Sequence, residues 1–290
     1  MKKTIILLLT LCILLSSVGV ITANAEEPLY TYDNNTKTLT INIKGKMKYS
    51  SDNAPWKDIE YPEQIILSKG ITSISVYGFS GTPDTFPEGY WNYNHRIKSV
   101  KLPNTLKTIK DYAFQYCYSL EKINIPNSVK KLGGMAFMEC KKLKTITIPG
   151  SVKNIPYSTF ILCKGLKSVT MKKGVKTIGA GAFSECISLS KVKIPNSVTK
   201  IDYYAFDKCW SLKTLKLSKK LKEINKYAFC SCTKLKKIAI PKNIKKIGKK
   251  ALGYRKSGEK IKGFTIKGYK GTAAEKYAKK NKFKFVALDK

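Results

Sequence analysis

The sequence predicts an α/β, β-rich solenoid, built from short strands and one helical or 3-10 turn per unit. Three observations carry this expectation. Phe114, Phe137, Phe160, Phe183, Phe206 and Phe229 stand 23 residues apart, and Leu252 takes the next place. Cys117, Cys140, Cys163, Cys186, Cys209 and Cys232 keep the same step, as do the leucines from Leu120 to Leu235 and the series Ile109, Leu132, Ile155, Ile178, Ile201, Ile224 and Ile247. Within each unit an alternating apolar and polar stretch leads into a second extended stretch and then a corner. A fixed period of ~20–30 residues rich in Leu and Ile belongs to units that lack a complete core alone and gain one by stacking.

The chain begins with a targeting segment. Lys2 and Lys3 precede an apolar run from Ile5 to Ile21, and Ala23-Asn24-Ala25 is a small-residue cleavage site followed by Glu26-Glu27. This is the pattern of a secretory signal peptide over residues 1–25. A membrane anchor is the other reading, but no basic stop-transfer patch follows the run. Cys12 has leucines around it rather than small residues before it, so the mature chain is expected to carry no lipid and no membrane span. The 43% hydrophobic content excludes wholesale disorder.

One unit shows why the residues stand where they do. In Leu120 to Lys142, Ile123 and Ile125 alternate with polar neighbours as a short strand with one buried face, and Pro126 stops it. Val129 and Leu132 turn inward along the second stretch. Gly133-Gly134 then permits a corner, and Met135 to Cys140 reads as the single helical turn that drops Phe137 into the interior. Stacking of successive units at ~4.8 Å gathers equivalent side chains into columns of Phe, Leu and Cys.

The pattern Leu-x-x-Ile-x-Ile-Pro-x-x-Val-x-x-Ile-x-x-x-Ala-Phe-x-x-Cys resembles the treponemal-type leucine-rich repeat of BspA-like bacterial surface proteins. It recurs at Leu143 to Pro149 and at Leu189 to Val198, and Gly179 to Cys186 closes a unit. Tyr32-Asp33 through Ile41, with Ala54-Pro55-Trp56, resembles the N-terminal cap of such proteins. Gly263-Phe264 through Tyr277 to Phe285 resembles their strand-helix-strand closing segment. The resemblance implies a leucine-rich-repeat solenoid over residues 65–262, capped by 26–64 and 263–290. It also implies a non-enzymatic bacterial adhesion or interaction module, secreted or at the cell surface, in contact with host proteins, matrix or other cells.

Phe79 to Phe114 is 35 residues, 12 more than the period, and the excess falls in an insertion at 81–95. This stretch carries Phe86, Tyr90, Trp91 and Tyr93, which could hold a sugar or peptide or fold as a flap onto the flank. Lys172 and Ser218 at the proline place, and Thr159 at the alanine place, soften single units.

A secreted chain with regular cysteines invites a disulfide reading. Stacked equivalent positions, however, have parallel Cα–Cβ vectors ~4.8 Å apart, whereas a disulfide needs converging Cβ atoms ~3.8 Å apart. The column is therefore expected to hold free thiols that donate weakly to neighbouring carbonyls. Cys230 breaks the column, and a link to Cys232 would be a strained short loop. Zinc is disfavoured because there is no CxxC pair and only one histidine, His95. That histidine is distant in sequence from every column cysteine, and the repeats offer neither a nucleophile elbow nor a phosphate-binding glycine loop. Carboxylates are too sparse to suggest a glycosidase pair. No enzymatic role and no cofactor is expected.

Charge supplies the second functional class. The formal net charge is +36, and residues 97–290 hold 46 Lys+Arg against 10 Asp+Glu. Arg96 and Arg255 are the only arginines, which argues against reading of base sequence, a task suited to the guanidinium fork. Lys107, Lys130, Lys153, Lys176, Lys222 and Lys245 share one place in the unit, with Thr199 the exception. Stacked in a line, they would attract a polyanion such as glycosaminoglycan, teichoic acid or extracellular DNA, although the lysine excess also serves solubility. The first strand presents Thr145, Thr147, Ser168, Thr170, Lys191, Lys193, Thr214 and Lys216 outward, a face suited to protein or glycan or simply to solvent. A monomer is expected.

Overall fold

The computed structural model describes residues 28–59, 62–81 and 96–288. The expected leader, together with Phe86, Tyr90, Trp91, Tyr93 and His95, lies outside the described residues.

Most turns of the coil contribute two short strands that pair in parallel with their counterparts one turn away. In the turn after Leu212 the first strand is reduced to a single bridge from Lys216 to Lys193. Along the first ladder, Thr145–Ile148 pairs with Ser168–Met171, which pairs with Lys191–Lys193. Along the second, Asn154–Ile155, Thr177–Ile178, Lys200–Ile201, Glu223–Ile224 and Lys246–Ile247 follow one another in register. Alternation decides which face is buried: Thr145–Ile148 has Ile146 and Ile148 inside and both threonines exposed.

The interior is a set of columns. Phe79, Phe114, Phe137, Phe160, Phe183, Phe206 and Phe229 stack in unbroken succession with ring centroids 5.2–5.5 Å apart and interplanar angles of 1–12°. None is more than 1% exposed. Each buried ring is worth about 1.5–3 kcal/mol from desolvation, and each aromatic pair adds ~0.5–1.5 kcal/mol. Phe79 joins the column despite its 35-residue step, because Ser73 pairs with Thr108 and Ile74 with Ile109. The coil therefore keeps the same register on either side of the insertion.

The thiols behave as the spacing predicts. All seven described cysteines are free and buried. In each column thiol the Sγ donates to the carbonyl of the phenylalanine one turn back, at 3.0–3.2 Å, as from Cys163 to Phe137 and from Cys186 to Phe160. The carbonyls of Phe114, Phe137, Phe160, Phe183 and Phe206 also accept the amide of the cysteine three residues on, so the thiol is a second donor to them and has its own S–H satisfied.

The corner departs from expectation in two ways. The stretch from Met135 to Cys140 is built of hydrogen-bonded turns, and the residues two places before and two places after the phenylalanine are left-handed. Met135 and Glu139 have φ of 52° and 58°, and Tyr112, Tyr116, Tyr204, Lys208, Tyr227 and Ser231 repeat this. Left-handed geometry costs a non-glycine residue roughly 1–2 kcal/mol. It is held here by bonds to the next turn: the amides of Tyr112, Phe114 and Tyr116 donate to the carbonyls of Gly134, Ala136 and Met138 at 2.8–3.1 Å. Second, Gly133 and Gly134 are required for room, not for positive φ. A Cβ on Gly133 would lie 2.3 Å from the Asp111 amide nitrogen, and one on Gly134 would lie 2.4 Å from the Tyr157 ring.

Both ends of the coil are covered. Tyr30–Asp33 pairs antiparallel with Thr38–Ile41, which then pairs in parallel with Gln64–Leu67. Trp56 is fully buried beneath this segment against Tyr30 and Tyr49. At the far end Thr265–Gly268, the helix Ala273–Lys280 and Lys284–Ala287 form a strand-helix-strand lid. The Tyr277 hydroxyl donates to the Leu252 carbonyl at 2.9 Å and accepts from the Leu252 amide at 3.1 Å, which ties the lid to the last turn. Open sheet edges are thereby protected from edge-to-edge association.

Candidate interaction surface

Parallel pairing converts the outward residues of the first strand into rows. Thr145, Ser168 and Lys191 form one row, and Thr147, Thr170, Lys193 and Lys216 the next. Between them opens a shallow groove of about 440 Å³, walled by Ser168, Thr170, Ser190, Lys191, Lys193, Thr214 and Lys216 with Val169, Val192 and Leu215 at its floor. Three ammonium groups and four hydroxyls face it, and no carboxylate does. A second groove of about 300 Å³ lies nearer the N-terminus on a separate sheet of first strands, bordered by Gln64, Ser99, Lys101, Lys122 and Asn124. Each groove thus gathers hydrogen-bonding side chains on paired strands, the kind of support that keeps binding groups in place.

Lys107, Lys130, Lys153, Lys176, Lys222 and Lys245 occupy a different row. All six are exposed. Their backbones are chained turn to turn: Lys130 to Lys107 at 2.9 Å, Lys176 to Lys153 at 2.7 Å, Thr199 to Lys176, Lys222 to Thr199 and Lys245 to Lys222 at 2.8 Å. Among the described residues none of the six has a carboxylate within 4.0 Å.

Other features were not visible as motifs. Tyr77 stacks on Tyr112 with centroids 4.8 Å apart, and Tyr204 on Tyr227 at 5.0 Å, giving tyrosine pairs on the left-handed corner in which Tyr77 and Tyr204 are exposed and Tyr112 and Tyr227 half-buried. Each pair shares one place in the unit, so the 23-residue alignment contained the signal. A third groove adjoins Trp210, which is 46% exposed, beside a hairpin at 254–260. Its trace in the sequence is spacing: Ile238 pairs with Ile266, a step of 28 residues instead of 23.

Reactive chemistry is unsupported by the column thiols. Burial pushes Cys117, Cys140, Cys186, Cys209 and Cys232 well up from the ordinary thiol range, away from thiolate. Cys230 is raised to about 11 by burial and then by the charge of Asp207. Asp207 is itself raised by its burial, and the opposing pull of Lys208 and Lys256 is smaller. Among the described residues there is no group of three His, Cys, Asp or Glu side chains able to hold a metal ion, and no helix long and apolar enough to cross a membrane.

In-register columns, parallel two-strand turns and capped ends define a leucine-rich-repeat solenoid, a class that works by offering an extended surface to partners. The chain belongs to the BspA-type leucine-rich-repeat family, whose profile matches in six copies over residues 84–209 and 162–273. Among solved structures, a leucine-rich cell surface protein of Faecalibacterium prausnitzii is 24% identical with a TM-score of 0.45, over 77% of this chain and 64% of that one. This chain therefore spans just under two thirds of that protein's length. A leucine-rich repeat protein of T. pallidum is 23% identical with a TM-score of 0.44, over 63% of this chain and 86% of that one. The pneumococcal vaccine antigen PcpA is 17% identical with a TM-score of 0.37, over 91% of this chain and 88% of that one. No curated protein matches.

Proposed function

We propose that the chain is a secreted or cell-surface, non-enzymatic interaction module that binds a protein or glycan partner through the outer face of its first-strand ladder. The groove formed by Ser168, Thr170, Ser190, Lys191, Lys193, Thr214 and Lys216 carries this reading, because it gathers seven polar side chains without a carboxylate. Membership of the BspA-type family and the leader-like residues 1–25 support it. The test is a pull-down of host and bacterial surface fractions on the purified 26–290 chain and on a K191Q/K193Q/K216Q variant. A partner retained by the parent and released by the variant is expected; one held equally by both overturns the assignment of this face.

The exposed row from Lys107 to Lys245 favours a second reading, a polyanion binder held by lysine charge. Each neutralised anionic group releases a counterion, so retention on immobilised heparin should collapse between about 50 and 200 mM salt if this row dominates. A partner seated on the first-strand face, with three lysines beside four hydroxyls, should weaken less steeply over that range.

A further inference from the structure

The turn that breaks the 23-residue register uses its five extra residues for a hairpin. Tyr254 and Lys260 bridge antiparallel, the Arg255 amide donates to the Glu259 carbonyl at 2.8 Å, and Gly258 supplies a φ of +94° at the tip. The hairpin is fastened to the coil on both sides. The Ser231 amide donates to the Tyr254 carbonyl at 2.7 Å, the Lys256 amide to Ser231 Oγ at 3.0 Å, and the Tyr254 hydroxyl to Asn281 Oδ1 at 2.8 Å. This fixed projection and the coil border a shallow, open groove of about 420 Å³ lined by Trp210, Ser231, Thr233, Arg255, Ser257 and Glu259.

Ser231 and Ser257 accept backbone amides through their hydroxyls, whereas the charged lining groups are without partners among the described residues. Trp210 is 46% exposed, in contrast to the fully buried Trp56. Among the described residues the Arg255 guanidinium and the Glu259 carboxylate make no ion pair and no side-chain hydrogen bond, with each other or with any neighbour. Arg255 is one of two arginines in a chain with 55 Lys+Arg, so its presence beside the exposed indole is not the general lysine bias of the surface. An indole face packs against the apolar C–H face of a flat ring. A guanidinium fork donates two parallel hydrogen bonds to a planar carboxylate, which an ammonium does not do. A free carboxylate and three hydroxyls then complement a ring bearing several O–H groups.

We propose that this groove is a saccharide site for a carboxylate-bearing pyranose of the uronic acid class, with the ring on Trp210, the carboxylate on Arg255 and the ring hydroxyls on Glu259, Ser257 and Thr233. Its volume falls within the ~300–1,000 Å³ range of small-ligand sites. The site is separate from the first-strand face and stands or falls independently of it.

Calorimetric titration of the full chain with a glucuronic acid–N-acetylglucosamine disaccharide, against the same disaccharide with glucose in place of glucuronic acid, tests the proposal. The acidic probe is expected to bind about tenfold or more tightly than the neutral one. W210A should abolish binding of both. R255K should remove the preference for the acid although it keeps the charge, whereas K242Q, which deletes an exposed charge outside the groove, should change nothing. Thermal denaturation of each variant checks that the fold is retained. Equal binding of the two probes, unaltered binding by W210A, or a loss with K242Q as large as with R255K overturns the site. Retention of disaccharide binding by K191Q/K193Q/K216Q is expected, and its loss would overturn the separation from the strand face.

Discussion

Phe160 lies between Phe137 and Phe183 at centroid distances of 5.2 and 5.3 Å and is fully buried, so its truncation leaves a hole between two rings that cannot close on each other. Phe160→Ala is expected to cost about 3–5 kcal/mol, read as a lower denaturant midpoint. The cysteines beside this column make a second prediction. Unfolded thiols release protons near the ordinary value of 9.0, whereas burial holds Cys117, Cys140, Cys186, Cys209 and Cys232 protonated above it. The folded state therefore binds more protons above that pH. The thiol contribution to stability is complete below about pH 9 and is lost as the pH rises through the folded values, by up to ~1.4 kcal/mol per thiol per unit. Thermal unfolding at pH 8 to 10.5 checks the trend, and a colorimetric thiol reagent at about pH 8 should find the column thiols unreactive until the chain unfolds. Both the column and its free thiols were legible in the sequence, because a strict period fixes which side chains meet. The left-handed backbone at Met135 and Glu139 was not, because nothing in a methionine or glutamate signals positive φ; the cross-turn bonds impose it.

At the scale of the turn, the glycines mark where coils touch. Gly133→Ala would drive a Cβ to 2.3 Å from the Asp111 amide nitrogen and 2.5 Å from the Lys110 carbonyl oxygen, both backbone atoms that cannot swing aside. A loss of about 1–3 kcal/mol is expected by thermal denaturation. The turn is also the unit of deletion. Excising residues 143–165 joins Lys142 to Leu166 and returns every column to register, so a cooperative fold with native-like circular dichroism and a lower midpoint is expected. Excising residues 143–155 puts later strands out of phase with their partners, and loss of soluble folded protein is expected instead. The insertion at 81–95 shows the same rule from the other side, since the coil resumes in register after it.

For the whole molecule, the sealed ends and the charge set behaviour. The lid contributes Phe264, Tyr277, Ala274 and Ala278 to the core and covers the edge of Thr265–Gly268 through its pairing with Lys284–Ala287. Truncation after Lys262 removes these elements and is expected to expose the edge of Lys237–Ala239, giving concentration-dependent association in sedimentation experiments. Surface function was only partly readable. The lysine row and the outward first strand followed directly from the period. The groove at Trp210 did not, because Arg255 is 45 residues further along the chain and reaches it through a hairpin that no repeat pattern contains.

The sequence alone determined the coil: identical apolar residues at one interval have no way to be buried except over one another, so period and composition together dictate columns, strand faces and free thiols. Only the tertiary structure decided the corner geometry, the need for space at Gly133 and Gly134, and the grooves. Those depend on how close neighbouring backbones approach and on where an irregular loop comes to rest, quantities that arise from contacts between turns and are absent from any single unit of the chain.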